Sequence, residues 1–195
     1  HVREDDGSGS KRLSKFEELI ARLRQAVSGM ILQVGGSISF APEPGKEAKW
    51  PGNDSRHALA QLEPKPDQVT IAIGTSGMNI VDLMSERDVA GTSLAAPEMQ
   101  AAYRDMYLEA GPTFYETNLK ALRDNGVQAY FMLGHVHQLE TVETLIRTGV
   151  YMGPLNLTYV AIGGGLAPRH PADLVEVAGR TPDGARLPNQ APMRP

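Results

Sequence analysis

Apolar side chains recur at helical spacing early in the chain. Phe16, Leu19, Ile20 and Leu23 fall on one face, Ser14 and Glu17 stand in a capping-box arrangement ahead of them, and Gly29 supplies a stop. The pattern then shortens. Residues 30–34 form an apolar run ending in Gly35-Gly36-Ser37, as expected of a buried strand and its turn. A Pro- and Gly-rich stretch over 40–54 predicts a loop, and 55–62 a short helix. The β-branched run 69–73 predicts a second strand, ending in Gly74-Thr75-Ser76-Gly77. Residues 79–94 have no clean period and read as an elaborated loop. Pro97 at a helix N1 position opens a predicted helix over 97–110, stopped by Gly111. Thr113 and Glu116 make a second capping box, on a helix that ends at Asn125-Gly126. Residues 129–133 give a third strand, leading to Gly134-His135-Val136-His137. Leu139, Val142, Leu145 and Ile146 trace the next helix, up to Gly149. A fourth strand over 155–162 runs into Gly163-Gly164-Gly165, and 171–178 closes the series as a short helix.

Strand and helix alternate throughout, which specifies an α/β fold with a parallel sheet and crossover helices. Two architectures satisfy the alternation: a TIM (β/α)8 barrel and an open doubly wound sheet. Four strands cannot close a barrel, so the barrel reading is of a partial barrel, missing its first strand and its last ones. It is preferred because no strand-to-helix junction carries G-x-G-x-x-G, which leaves a nucleotide-binding open sheet as the weaker alternative. Glycine at the C-terminal end of each predicted strand marks the rim where parallel α/β folds bind ligands. The expected domain spans residues 1–178, followed by an irregular Pro-rich end over 179–195. The chain starts at His with no initiator Met, and its last stretch holds four prolines without apolar periodicity; truncation of a longer chain is the expectation at both ends.

Composition narrows the function. With 41% hydrophobic residues the 195-residue chain can bury a core, so disorder is excluded as the main state. A net charge of −4 supplies no basic surface for a polyanion, and nucleic acid is not an expected partner. No apolar run reaches the roughly 18 residues of a membrane span, and the first residues lack a signal-peptide core, so a cytoplasmic protein without a membrane partner is expected. Cysteine is absent, so any metal would be held by histidines and carboxylates.

Of the five histidines, His57 on a polar helix and His170 before a proline read as surface residues. His135 and His137, two apart just past a strand, could share a metal or serve only as turn residues bonded to nearby backbone. His1 opens a segment, His-Val-Arg-Glu-Asp-Asp-Gly, that reads as the end of a strand entering a turn, which would place its imidazole on the catalytic rim. Asp5 and Asp6, being adjacent, point apart in an extended chain and read as a solvated turn. Gly35, Gly36, Ser37 and Thr70 would sit on neighbouring rim positions, where small hydroxyls and free N–H groups can hold a carboxylate or phosphate. No Ser-His-Asp order, Walker A loop or HExxH is present.

The segments HVREDDGS, ILQVGGS, EPKPDQVTIAIGT with a later Asn79, and LRDNGVQAYFMLGHVHQLETVETLIRTGVYMGPLNLTYVAIGGGLAPRHPADL occur in the order seen in the β-keto acid cleavage enzymes. The chain resembles this family, whose type is 3-keto-5-aminohexanoate cleavage enzyme, over most of residues 1–178 and most closely over 62–75 and 139–174. The resemblance implies a zinc-dependent, usually homo-oligomeric TIM barrel. Such an enzyme transfers an acyl unit between a β-keto acid and acetyl-CoA, giving acetoacetate and a new acyl-CoA. By the same resemblance His1 is the second histidine of a zinc-binding H-x-H, Arg3 is the arginine that follows it, and Thr70 binds polar groups of the substrate. Gly35, Gly36, Ser37 and Gly74 are the remaining expected substrate-binding positions, and His135 and His137 are the alternative metal ligands.

Four departures bear on activity. The family's serine turn falls near Gly35, so Ser37 replaces that serine only if the loop shifts. A family glutamate corresponds to about Met132, and an acidic residue before the Gly-His pair to about His135. The Glu-Asp pair that supplies the third ligand and the base has no counterpart here. The segment is therefore expected to be inactive alone, and a non-catalytic homologue binding metal or a small carboxylate is the competing expectation.

Overall fold

The computed structural model describes residues 2, 5, 10, 12–35, 53–79, 81–160 and 170–185. The chain enters through α1 (Leu13–Ala26), which buries Phe16 and Ile20, and reaches β1 (Gln33–Val34). Next come α2 (Asn53–Ala58), prolonged by a 3-10 turn over Leu59–Gln61, and β2 (Gln68–Ala72). An excursion follows: β3 (Ser76–Met78), α3 (Glu86–Val89) and α4 (Pro97–Arg104), then β4 (Met106–Leu108) returning antiparallel to β3. Then α5 (Pro112–Asp124), β5 (Gln128–Leu133), α6 (Gln138–Arg147), β6 (Leu157–Tyr159) and α7 (Pro171–Arg180) complete the order.

The main sheet has the order β1-β2-β5-β6, with every pairing parallel. These are the four strands expected from the apolar runs, although the ladders are shorter than the runs at β1 and β6. Each strand joins at the same edge as the one before it, whereas a doubly wound sheet reverses its strand order at a switch point. The two faces also differ. Val69, Ile71 and Ile73 of β2, Ala129, Phe131 and Leu133 of β5 and Leu157 of β6 share one core with Phe16 of α1, Leu119 of α5 and Val142 of α6. Alternation along a strand then sends Thr70, Ala72, Tyr130, Met132 and Thr158 to the opposite face. Helices on one face and a separate inner face, in unreversed order, are what an arc of a TIM-like barrel requires. The described strands form an open four-stranded parallel sheet, consistent with such an arc.

Several local expectations are corrected. Neither expected capping box forms. The N-cap of α1 is Arg12, which leaves Ser14 inside the helix, and α5 starts from Gly111 with Pro112 in its first turn, which puts Thr113 past the cap. The helix expected over 97–110 stops at Arg104, because Met106 and Leu108 are buried by pairing with β3. Residues 79–94 hold helical turns, and a capping box does occur there. Ser85 Oγ accepts from the Asp88 N–H, while Asp88 Oδ2 accepts from the Ser85 N–H. The stop signals work as read: Gly126 and Gly149, just past α5 and α6, have φ of 69° and 74°, the left-handed region where a Cβ is penalised.

Candidate functional site

A cavity of about 560 Å³ opens on the inner face of the sheet, within the range of small-molecule sites. Gln33, Thr70, Tyr130, Met132 and Thr158 line it from four successive strands, and Leu108 of β4 adds a wall from the excursion. Past the free side of β1 it reaches Ile20 of α1 and Val2, the residue after His1. Thr70 lies on the wall of this cavity, in the middle of β2 and not at its C-terminal end. Gln33 Nε2 donates to Thr70 Oγ1 at 2.6 Å, which occupies an acceptor site of that hydroxyl and leaves its O–H free to donate. Tyr130 and Thr158 stand on adjacent strands with both hydroxyls buried, and neither oxygen completes a hydrogen bond among the described residues. Burial raises the Tyr130 phenol, with nearby Thr158 partly opposing the shift, so it remains a neutral donor at physiological pH.

Gly35 lines the same cavity at the C-terminal end of β1. Gly74 ends β2 with φ of 89°, but its N–H donates to Tyr115 Oη at 2.7 Å and is therefore not free for substrate. Gln138 fixes the end of β5 by accepting from the Gly134 and His135 N–H groups at 2.6 and 3.1 Å. Asn79 does not face the cavity; its Oδ1 accepts from the Val81 N–H in a local turn. His1, Arg3, Gly36 and Ser37 lie outside the described residues.

A buried residue of the cavity wall that sequence reasoning missed is Arg56. It lines the cavity from α2 and is only 4% exposed. Its guanidinium lies over the Phe114 ring, 3.7 Å from the centroid, and Nη1 donates to the Glu109 carbonyl at 2.5 Å and to Asn53 Oδ1 at 3.3 Å. Its Nε meets no acceptor among the described residues. Burial lowers its pKa to about 10, partly offset by Tyr115 and Glu109, so the cation persists at neutral pH. The segment NDSRHA gave no signal, since a single arginine on a polar helix reads as solvated.

His57, expected at the surface, is instead half-buried. Its ring stacks on Phe114 with centroids 5.2 Å apart, and Nδ1 faces the Asn118 amide at 3.1 Å. His170 is exposed as expected, with Nδ1 capping α7 by accepting from the Ala172 N–H at 3.2 Å. The His135 and His137 rings stack at a centroid distance of 5.2 Å and an angle of 19°. Among the described residues no three or more His, Cys, Asp or Glu come together in a way that could hold a metal ion. The described part alone does not fit zinc.

The described wall thus offers three hydroxyls, an amide and a buried cation, with no carboxylate, and the hydroxyls stand mid-strand on the inner face of the parallel sheet. Such a lining can donate hydrogen bonds to ligand oxygens and carries one positive charge. Comparison with known families agrees with that character: residues 1–190 match the beta-keto acid cleavage enzymes, and the chain belongs to this family.

Proposed function

We propose that the protein cleaves a β-keto acid by acyl exchange with acetyl-CoA, the acyl group passing to CoA and the released two-carbon carboxylate unit joining the acetyl group as acetoacetate. The family match over residues 1–190 carries this reading. The cavity supports it. Thr70 and Tyr130 can donate to keto or carboxylate oxygens, Gln33 holds the Thr70 hydroxyl as a donor, and the apolar walls at Ala72, Leu108 and Met132 exclude water from the reacting carbons. Zinc with His1 as a ligand belongs to the proposal and rests on the family resemblance; when bound, such an ion would polarise the keto and carboxylate oxygens as a Lewis acid. The homo-oligomeric state belongs to it in the same way. No helix among the described residues is long and apolar enough to cross a membrane.

A second reading is carboxylate binding without turnover. Met132, at the position that the resemblance gives to a glutamate, puts a thioether on the cavity wall, so the described wall contains no general base. The test is an assay of the full chain with zinc, acetyl-CoA and a panel of β-keto acids. Acetoacetate formation that depends on both substrates supports cleavage, whereas saturable β-keto acid binding without product establishes the second reading instead.

A further inference from the structure

We propose that the substrate is a β-keto acid whose acyl substituent is uncharged and aliphatic, and that Ala72, Met132 and Leu108 form the pocket for that substituent. The assignment rests on the β-keto acid reading and names the substrate class within it. The inner face of the sheet is layered. Thr70 on β2 is the register partner of Tyr130 on β5, and two residues further along the same strands Ala72 is the partner of Met132. Alternation keeps both pairs on the cavity side, so a level of hydroxyls is followed, one step nearer the C-terminal ends of the strands, by a level made of a methyl group and a thioether. Two residues along a strand cover about 6–7 Å, the span of a short acyl chain. The β3–β4 ribbon brings Leu108 to the same cavity: its register partner Ser76 lies four residues past Ala72, and its side chain is buried. On the other side the partner of Met132 is Thr158 of β6, whose buried hydroxyl bounds the apolar part.

The two levels divide a β-keto acid between them. With its oxygens at the level of Thr70 and Tyr130, the carbons beyond the keto group extend along the strands onto Ala72 and Met132. Ala72 is small and leaves room on the β2 side, while Met132 is unbranched and only partly buried, so its thioether adapts to the chain laid against it. Each methylene buried there strengthens binding by about fourfold. An ammonium or a carboxylate on the substituent would instead shed its hydration against a methyl, a thioether and an isobutyl group, none of which offers it a counter-charge or a strong hydrogen bond. The formal charge of the described lining does not alter this preference: the Arg56 guanidinium lies on Phe114, donates to the Glu109 carbonyl and feels the opposing charge of Glu109.

The experiment measures, by calorimetry with zinc present, binding of freshly prepared acetoacetate, 3-oxohexanoate, 5-amino-3-oxohexanoate and 3-oxoadipate to the full chain as wild type, Met132→Glu and Ala72→Val. Wild type should bind 3-oxohexanoate about tenfold more tightly than acetoacetate, from two further buried methylenes, and at least tenfold more tightly than the ammonium and dicarboxylate compounds. Met132→Glu should reverse the order of 3-oxohexanoate and its ammonium analogue. Ala72→Val should lose severalfold for 3-oxohexanoate and leave acetoacetate unchanged. A wild type that binds the ammonium or the dicarboxylate compound as tightly as 3-oxohexanoate overturns the proposal, as does an affinity independent of chain length. If Met132→Glu does not fold, Ala72→Val decides: an equal loss for acetoacetate and 3-oxohexanoate places the substituent elsewhere and overturns the assignment. Since binding needs no turnover, discrimination by the substituent without acetoacetate formation refutes the cleavage reading and leaves this one standing. Turnover with the same kcat/KM for all of the 3-oxo acids does the reverse.

Discussion

Gln33 on β1 donates to Thr70 on β2 at 2.6 Å, across the first parallel ladder of the sheet and on the cavity side. The bond fixes which way the Thr70 hydroxyl can donate, so both residues should affect substrate use more than folding. Thr70→Val keeps the shape and removes the hydroxyl. It is expected to lower kcat/KM for the β-keto acid about tenfold, or about 1.4 kcal/mol of transition-state stabilisation. Gln33→Leu leaves the hydroxyl in place without its orienting partner and should cost about threefold, while Thr70→Ser should restore most of the activity. Gln33 is exposed and Thr70 partly exposed, so unfolding midpoints should move by less than ~1 kcal/mol in free energy. Unchanged kcat/KM in Thr70→Val would remove this residue from the site.

Gly74 is a structural requirement of the rim. At φ of 89° an added Cβ is strained, and it would lie 2.7 Å from Gln138 Nε2. Gln138 cannot yield freely, because its other amide atom holds the Gly134 and His135 N–H groups. Gly74→Ala is therefore expected to destabilise the fold by ~1–3 kcal/mol in urea titration, with the loss shared by the ends of β2 and β5. An alanine variant as stable as wild type would show that this junction tolerates a side chain.

His57 makes stability depend on pH. Its pKa is lowered first by burial and then by the adjacent Arg56 cation, with Asp54 partly opposing. The folded value therefore lies below the unfolded one near 6.5, and the stability contributed by the neutral ring is fully present above about pH 6.5 and is lost as pH falls through the folded value. The hydrogen bond gives the reason: Nδ1 accepts from the Asn118 amide, and a proton on Nδ1 would set two donors against each other. His57→Phe keeps a ring on Phe114 and removes the titration. Between pH 7.5 and 5 its unfolding midpoint in urea should fall less steeply than that of wild type; equal slopes would remove His57 as the source.

The four parallel strands were legible because each is an apolar run ended by glycine, and burial against helices is what such runs encode. The face of Thr70 follows from the same pattern, since one residue of alternation from Val69 and Ile71 turns it to the inner side, but its place in the middle of β2 and not on the rim depends on where the strand ends. The β3–β4 ribbon was not legible. Met106 and Leu108 carry the same apolar character whether they continue a helix or pair with residues about 30 positions away, and only the long-range partner decides. Arg56 and His57 were hidden for a related reason, since α2 is polar in sequence and becomes buried only when α5 brings Phe114 and Asn118 against it.

The histidine pair after β5 tests where a metal can bind. A catalytic zinc ion needs three protein ligands whose lone pairs converge on one point about 2.0–2.1 Å from each nitrogen. His135 and His137 lie as stacked rings, 19° from parallel, and in-plane lone pairs on nearly parallel rings run side by side instead of meeting. No carboxylate or third histidine joins them in a metal-holding group among the described residues. The double variant His135→Ala/His137→Ala should therefore keep the zinc affinity of the wild type, measured by competition with a chromophoric chelator, and should keep any acetoacetate-forming activity. His1→Ala, removing the ligand that the family resemblance assigns, should lower zinc affinity by more than tenfold and abolish activity. If the double variant loses zinc and His1→Ala does not, the metal belongs at the end of β5, and the protein becomes a metal-binding relative that has left the family's catalytic arrangement.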